Sequence, residues 1–196
     1  FGPRSVVGMF LMPVSTENGW TRDVLSLTIA VQNLMWGVGQ PFAGAVADRF
    51  GVTRVLIGGL LLYGAGLVLM TVSTSPVTFT VTSGVLIGLG LSGCSFNLVL
   101  AAFGKLLPPE KRPMALGFGT AAGSMGQFLF SPLAVGLIDA TGWRMSLLVF
   151  AAMLLATAPL AFVLATQARS AAPEPEADRR SLMQVLSHAF GHTSYM

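Results

Sequence analysis

The chain reads as an all-α integral membrane protein, with five full helical spans and a partial one joined by short polar turns. Three observations predict this. Hydrophobic residues make up 53% of the 196 residues and charged residues only 10%, where a soluble domain carries about 25% charged residues. Mean hydropathy is +0.73. The charges fall almost entirely in gaps between long uncharged runs, as they must if the runs cross lipid, where a charge is costly. Such a chain cannot cover its apolar surface with its own polar groups, so lipid is its expected solvent and partner. The net charge of +3 points to no nucleic acid, because the basic residues sit in the gaps and form no patch. Cys94 is the single cysteine. It excludes an internal disulfide and a cysteine-based metal cluster, and reads as a small packing residue.

The spans follow in order. A bilayer-crossing helix needs about 20 apolar residues. The run over 1–14 is shorter, which predicts the second half of a helix truncated at its start, and the polar turn Ser15–Arg22 ends it. The second span covers 24–45 without a charge, about 33 Å at helical rise. The stretch GAVADRFGVTR (Gly44–Arg54) then reads as a tight charged loop at a membrane surface. A third span covers 55–72. Ser73–Pro76 is a short turn, since proline can start a helix but not continue one. The fourth span covers 77–103 and is long enough to cross with tilt. Lys105–Pro113 (KLLPPEKRP) is a second charged loop, followed by spans at 114–138 and 145–167 on either side of the turn Asp139–Arg144 (DATGWR).

After Ala168 the sequence becomes Pro- and charge-rich, a solvated linker. Within it Leu182, Val185, Leu186, Ala189 and Phe190 recur at helical spacing after Arg179 and Arg180. That pattern fits an amphipathic helix on the membrane surface or an ordinary helix leading to a seventh span. His188 and His192 lie four apart here, but without a third ligand no metal site is expected.

Basic residues set the orientation. One group of loops holds Arg49, Arg54, Lys105, Lys111, Arg112, Arg169, Arg179 and Arg180, and the other only Arg22 and Arg144. The richer side is the cytoplasm, so the Gly44–Arg54 loop and 168–191 are expected there, in a plasma-membrane protein. Trp20 and Trp143, in the two Gly-Trp turns, are expected at interfacial depth outside. A faint repeat supports pairing the spans as two triplets. Asp48-x-x-Gly51 precedes Arg54, and Asp139-x-x-Gly142 precedes Arg144, on opposite faces, as an inverted 3+3 repeat would give.

Gly44-x-x-x-Asp48-Arg49-x-Gly51-x-x-Arg54, between the second and third spans, resembles the signature loop of the major facilitator superfamily. Gly44 would allow close helix approach, Asp48 would cap or pair, Gly51 would turn the chain, and the arginines would hold the cytoplasmic surface. The superfamily's usual basic pair at the loop's end is reduced here to Arg54 after Val52 and Thr53. FGPRSVVGMFLMPV followed by NGWTRDVLSLTIAVQNL, with LPPEKRPMALGFGTAAGSMGQ and the later GWR turn, is similar to the monocarboxylate transporter branch and its bacterial relatives. The resemblance implies most of an N-terminal six-helix bundle, truncated in the first helix, and the central loop of a twelve-helix carrier. Its C-terminal half would supply an acidic residue and an arginine for coupling and binding. In that branch a basic residue after a proline in the first helix helps hold the substrate carboxylate, and Arg4 after Pro3 stands at that position.

Arg4 is the sharpest candidate by residue type alone. An intramembrane arginine costs at least ~2.5 kcal/mol and marks a site by default, and a guanidinium can take a carboxylate bidentately. It could also snorkel or pair structurally. Gln32, Trp36 and Gln40 share a helix face with spacing four, beside Asn33. They would line a cavity or bond neighbouring helices. Gln40-Pro41 better fits a kink. Gly90, Gly93, Cys94 and Asn97 form one small, polar face, and Gly119, Gly123 and Gly126 another beside Gln127. Helix packing explains both faces best, with Asn97 and Gln127 as secondary cavity candidates. No Asp or Glu lies within a full span, so no proton carrier is evident in this half. No nucleotide-cradling loop, catalytic set or metal cluster converges, so neither an enzyme nor a cofactor is expected.

The expected function is secondary active transport, as symporter or antiporter, of small organic anions such as monocarboxylates, with a co-transported proton left open. Alternatives are an exporter of drugs or other amphiphiles, a membrane enzyme or sensor on the same fold, and a non-transporting membrane subunit.

Overall fold

The computed structural model describes residues 2–96, 98–100 and 108–160. It is helical, with no strand among the described residues. The elements are α1 (Gly2–Ser5), α2 (Val7–Asn18), α3 (Arg22–Phe50), α4 (Val52–Thr71), α5 (Pro76–Phe79), a π-helical segment (Thr80–Leu86), α6 (Ile87–Gly93) and α7 (Arg112–Ala156). Among the described residues, three helical stretches are long and apolar enough to cross a membrane: Val52–Thr71, Pro76–Leu100 and Arg112–Leu160. The expected surface helix at 182–190 and the histidine pair lie outside the described residues.

The first run is not one helix. Val6 has non-helical backbone angles (φ −101°, ψ 1°) and separates α1 from α2, so Arg4 rides on its own short turn. The fourth run also departs from an uninterrupted helix. Ser75 and Thr78 form a reciprocal capping box with Pro76 in the first turn, which starts α5 cleanly. The chain then widens to the π geometry, where Thr82 Oγ1 donates to the Thr78 and Phe79 carbonyls, a competition with the helical ladder open to Ser and Thr. α6 ends at Gly93 with Cys94 as its cap, and Ser95 Oγ accepts the Leu98 amide to start the next turn.

α7 folds back on itself at Gly142. Phe130 and Phe150 are twenty positions apart and would be separated by about 30 Å in a straight helix, yet their ring centroids lie 5.4 Å apart. Gly142 makes the reversal with φ 80°, ψ 164°. Gly51, between α3 and α4, has φ 90°, ψ 144°. Both lie in a region that only glycine enters without strain. The two Asp-x-x-Gly turns therefore share a backbone conformation as well as a sequence, which is what a repeated helix triplet requires.

Glycines set the closest helix contacts. A methyl at Gly90 would come 2.6 Å from the Tyr63 backbone nitrogen, and one at Gly59 2.8 Å from the Gly90 carbonyl oxygen, so α4 and α6 touch backbone to backbone. On its other side α6 meets α3, where a methyl at Gly88 would lie 2.7 Å from the Gln32 carbonyl oxygen. The packing expected of Gly90 and Gly93 is thus present. The fifth-run glycines behave differently. A methyl at Gly126 would meet nothing within 4 Å, and one at Gly123 only Phe96 at 3.9 Å.

The main apolar cluster holds Val6, Phe10, Val14, Leu25, Tyr63, Leu67, Met70, Phe79, Ile87, Leu91, Trp143, Leu147 and Phe150, with smaller neighbours, and a second, smaller one holds Ala47, Leu56 and Leu98. Phe10 stands edge-on to Phe150 at 5.9 Å, joining α2 to the second arm of α7.

Candidate functional site

The site begins with how α1 is seated. A methyl at Gly2 would come 2.4 Å from Cδ2 of Phe130, so only a glycine lets α1 lie this close to the first arm of α7. Gly2 and Pro3 are buried, while Arg4 is half-buried and turns toward α3. Its Nη2 donates to Oδ1 of Asn33 at 2.8 Å, and its guanidinium carbon lies 4.1 Å from the centroid of the Trp36 ring. Asn33 and Trp36 are three apart on α3 and therefore share a face. A neutral amide and an aromatic face hold the cation by hydrogen bonding and cation–π attraction. Neither neutralises it, and among the described residues no carboxylate pairs with it. A guanidinium carries several N–H donors, and Asn33 occupies one, so the group retains capacity for an anion.

The other sequence candidates fall elsewhere. Gln32 is 3% exposed and its Nε2 donates to the Ser83 carbonyl at 3.0 Å, tying α3 to the π segment. It lines a water-sized cavity with Val7, Phe10, Thr28 and Ser83. Gln40 is half-buried on α3. Gln127 is exposed on α7, one turn before the Phe130 that supports α1. Asn97 lies outside the described residues. The structure thus brings Arg4, Asn33 and Trp36 together and gives Gln32 a helix-bridging bond.

In the signature loop, α3 ends at Phe50 and the Gly51 amide donates to the Ala47 carbonyl at 2.8 Å. Asp48, Arg49 and Arg54 are exposed, with Arg49 stacked over Phe50 at 5.4 Å. Among the described residues, a methyl added at Gly44 would meet nothing within 4 Å.

Two features escaped the sequence reading. Trp143 packs into the protein core. It is 5% exposed, and its indole Nε1 donates to Oε2 of Glu17. Arg144 Nη1 meets Oε1 of the same carboxylate at 2.8 Å and lies over the Trp143 ring at 5.0 Å. Glu17 therefore clasps the end of α2 to the Gly142 turn. Its only sequence signal was an acid in one polar turn opposite an arginine in another. The second feature is Tyr63, whose buried hydroxyl has no hydrogen-bond partner among the described residues.

A bundle of apolar helices with two like glycine turns and, among the described residues, an arginine without a countercharge fits a multi-pass membrane protein. The match to known families is consistent with it. Residues 1–195 match the model of the Major Facilitator Superfamily, and the chain belongs to that superfamily of multi-pass membrane transporters. It is 34% identical over 122 residues to Monocarboxylate transporter 3 of Mus musculus, covering 62% of this chain and 24% of the relative. It is 28% identical over 172 residues to Monocarboxylate transporter 6 of Mus musculus, covering 88% and 36%. It is 28% identical over 153 residues to Monocarboxylate transporter 1 of Bos taurus, covering 78% and 30%. The aligned region spans between a quarter and just over a third of these relatives' lengths.

Proposed function

We propose that this chain is part of a secondary active carrier for small organic anions, most simply monocarboxylates, with Arg4 as the carboxylate partner. The observation that carries the reading is the state of Arg4, a cation beside α3 held by Asn33 and Trp36 with no countercharge among the described residues. A membrane protein retains such a charge at a substrate or ion path. The relatives' names support the class of substrate. Substrate would enter beside α1 and α3, and the bundle would rock against a second bundle to expose the site alternately. The signature loop at Asp48–Arg54 would close the cytoplasmic side. With no acid inside a full span, any proton carrier would lie in the other bundle.

Uptake of labelled lactate, pyruvate and oxalate into proteoliposomes holding the complete transporter tests this reading against export of amphiphilic drugs. Saturable uptake of at least one acid supports it. Drug transport without acid transport would replace it with the exporter reading.

A further inference from the structure

Two adjacent amides on α3 have opposite fates. Gln32 is 3% exposed and commits its Nε2 to the Ser83 carbonyl. Asn33 is exposed and turns to Arg4, with Oδ1 2.8 Å from Nη2. A guanidinium has donors and no acceptor, so the amide must present its oxygen to it. Nδ2 sits on the same carbon as Oδ1, and its two N–H groups therefore open beside the cation. Among the described residues nothing accepts from them. Away from water an unmatched amide is costly, and leucine at this position would carry no such cost. The centroid of the Trp36 ring lies 4.1 Å from the guanidinium carbon, so the ring covers one side of the cation. Donors of two kinds, charged on Arg4 and neutral on Asn33, thus meet at one point of contact.

We propose that Asn33 is the specificity residue of the Arg4 site, its Nδ2 donating to an oxygen on the carbon next to the carboxylate that Arg4 takes. This rests on the reading of Arg4 given above. Asn33 keeps its bond to Nη2 throughout, because that bond uses one guanidinium N–H and leaves the others for the anion. In a 2-hydroxy or 2-oxo acid the second oxygen lies close beside the carboxylate. Donors on Arg4 and Asn33 can reach the two oxygens together, since the two side chains already touch at 2.8 Å. An acid with a plain alkyl chain binds Arg4 equally but leaves the amide N–H groups unmatched. A site built to hydrogen-bond a substrate oxygen disfavours the analogue that lacks it. Gln32 cannot take this role, because its amide nitrogen is already bonded across to Ser83.

The test uses the complete transporter in proteoliposomes and compares the parent protein with Asn33→Leu, Asn33→Ala and Arg4→Gln. Labelled lactate, pyruvate and propionate are the probes, since propionate is lactate without its 2-oxygen. One hydrogen bond from a neutral donor corresponds to about fivefold in affinity. The parent should therefore show KM values for lactate and pyruvate about fivefold below that for propionate. Both Asn33 variants should bring the lactate-to-propionate and pyruvate-to-propionate KM ratios to about one, and Asn33→Ala separates loss of the donor from added bulk. Any change in how Arg4 is held shifts all three KM values together and cancels in these ratios. A parent protein without the preference, or a preference kept in either variant, would overturn the proposal and leave Asn33 as a holder of Arg4. Loss of uptake of all three acids in both variants, with the protein folded and inserted, would overturn it in the same way. Unimpaired uptake by Arg4→Gln would instead remove the reading on which the proposal stands.

Discussion

Individual side chains here are explained by what they would otherwise leave unsatisfied. Trp36 and Asn33 hold Arg4 ready, so removing one should change affinity more than stability. Trp36→Leu deletes a cation–π contact worth about 0.5–2 kcal/mol and should move the KM for anion severalfold in proteoliposome uptake. Glu17 offers a sharper contrast. Its pairing with Arg144 involves side chains that are 45% and 53% exposed, and exposed pairs contribute about 0.2–1 kcal/mol. Its bond from the buried Trp143 indole is different, because losing the acceptor leaves a buried N–H unmatched at about 1–3 kcal/mol. Glu17→Gln keeps an acceptor and should barely shift the melting temperature in detergent, whereas Glu17→Leu should lower it clearly. Equal effects of the two would mean that the ion pair, not the indole, matters. Arg4 was legible in sequence because a charge in an apolar run is conspicuous. Its partners were only half legible: Asn33 and Gln32 are adjacent amides, and sequence could not say which would face α1. Tyr63 was invisible, since nothing in an apolar run marks one hydroxyl as unmatched.

At the scale of helices, glycine has opposite meanings on different faces. The methyl of Gly90→Ala would meet backbone atoms of α4 at 2.6 and 2.9 Å, and backbone cannot swing away, so overpacking should cost about 1–3 kcal/mol or more. Gly126 faces open space within this bundle, and Gly126→Ala should leave stability unchanged or raise it by up to about 1 kcal/mol through helix propensity. Thermal unfolding of residues 1–196 in detergent reads both, and the signs should differ. Gly142→Ala should cost about 1–3 kcal/mol for its backbone conformation alone. The sequence showed small-residue faces in both runs but not which neighbour covers each, because that depends on tertiary arrangement. It likewise gave the Asp139–Arg144 turn from its charges, while the breaks at Val6 and Cys94 fall inside uncharged runs and left no compositional trace.

For the molecule as a whole, composition and charge spacing were enough to indicate an all-α membrane bundle, because lipid leaves so few backbone solutions. The Gly51 and Gly142 turns share a backbone conformation, and residues 1–195 match the superfamily. Residues 1–196 alone should need detergent and show no transport, since alternating access needs a second bundle to rock against. Sustained uptake by this chain alone would break the two-bundle account. The central claim is that Arg4 meets a carboxylate. The most direct measurement is uptake of labelled pyruvate, lactate and oxalate by the complete protein in proteoliposomes, with Arg4 intact and as Arg4→Gln. Two hydrogen bonds from a cation correspond to about 100-fold or more, so the variant should lose essentially all anion uptake while remaining folded and inserted. If Arg4→Gln instead transports every one of these anions as well as the parent protein, Arg4 is a structural residue and the account of the site is wrong.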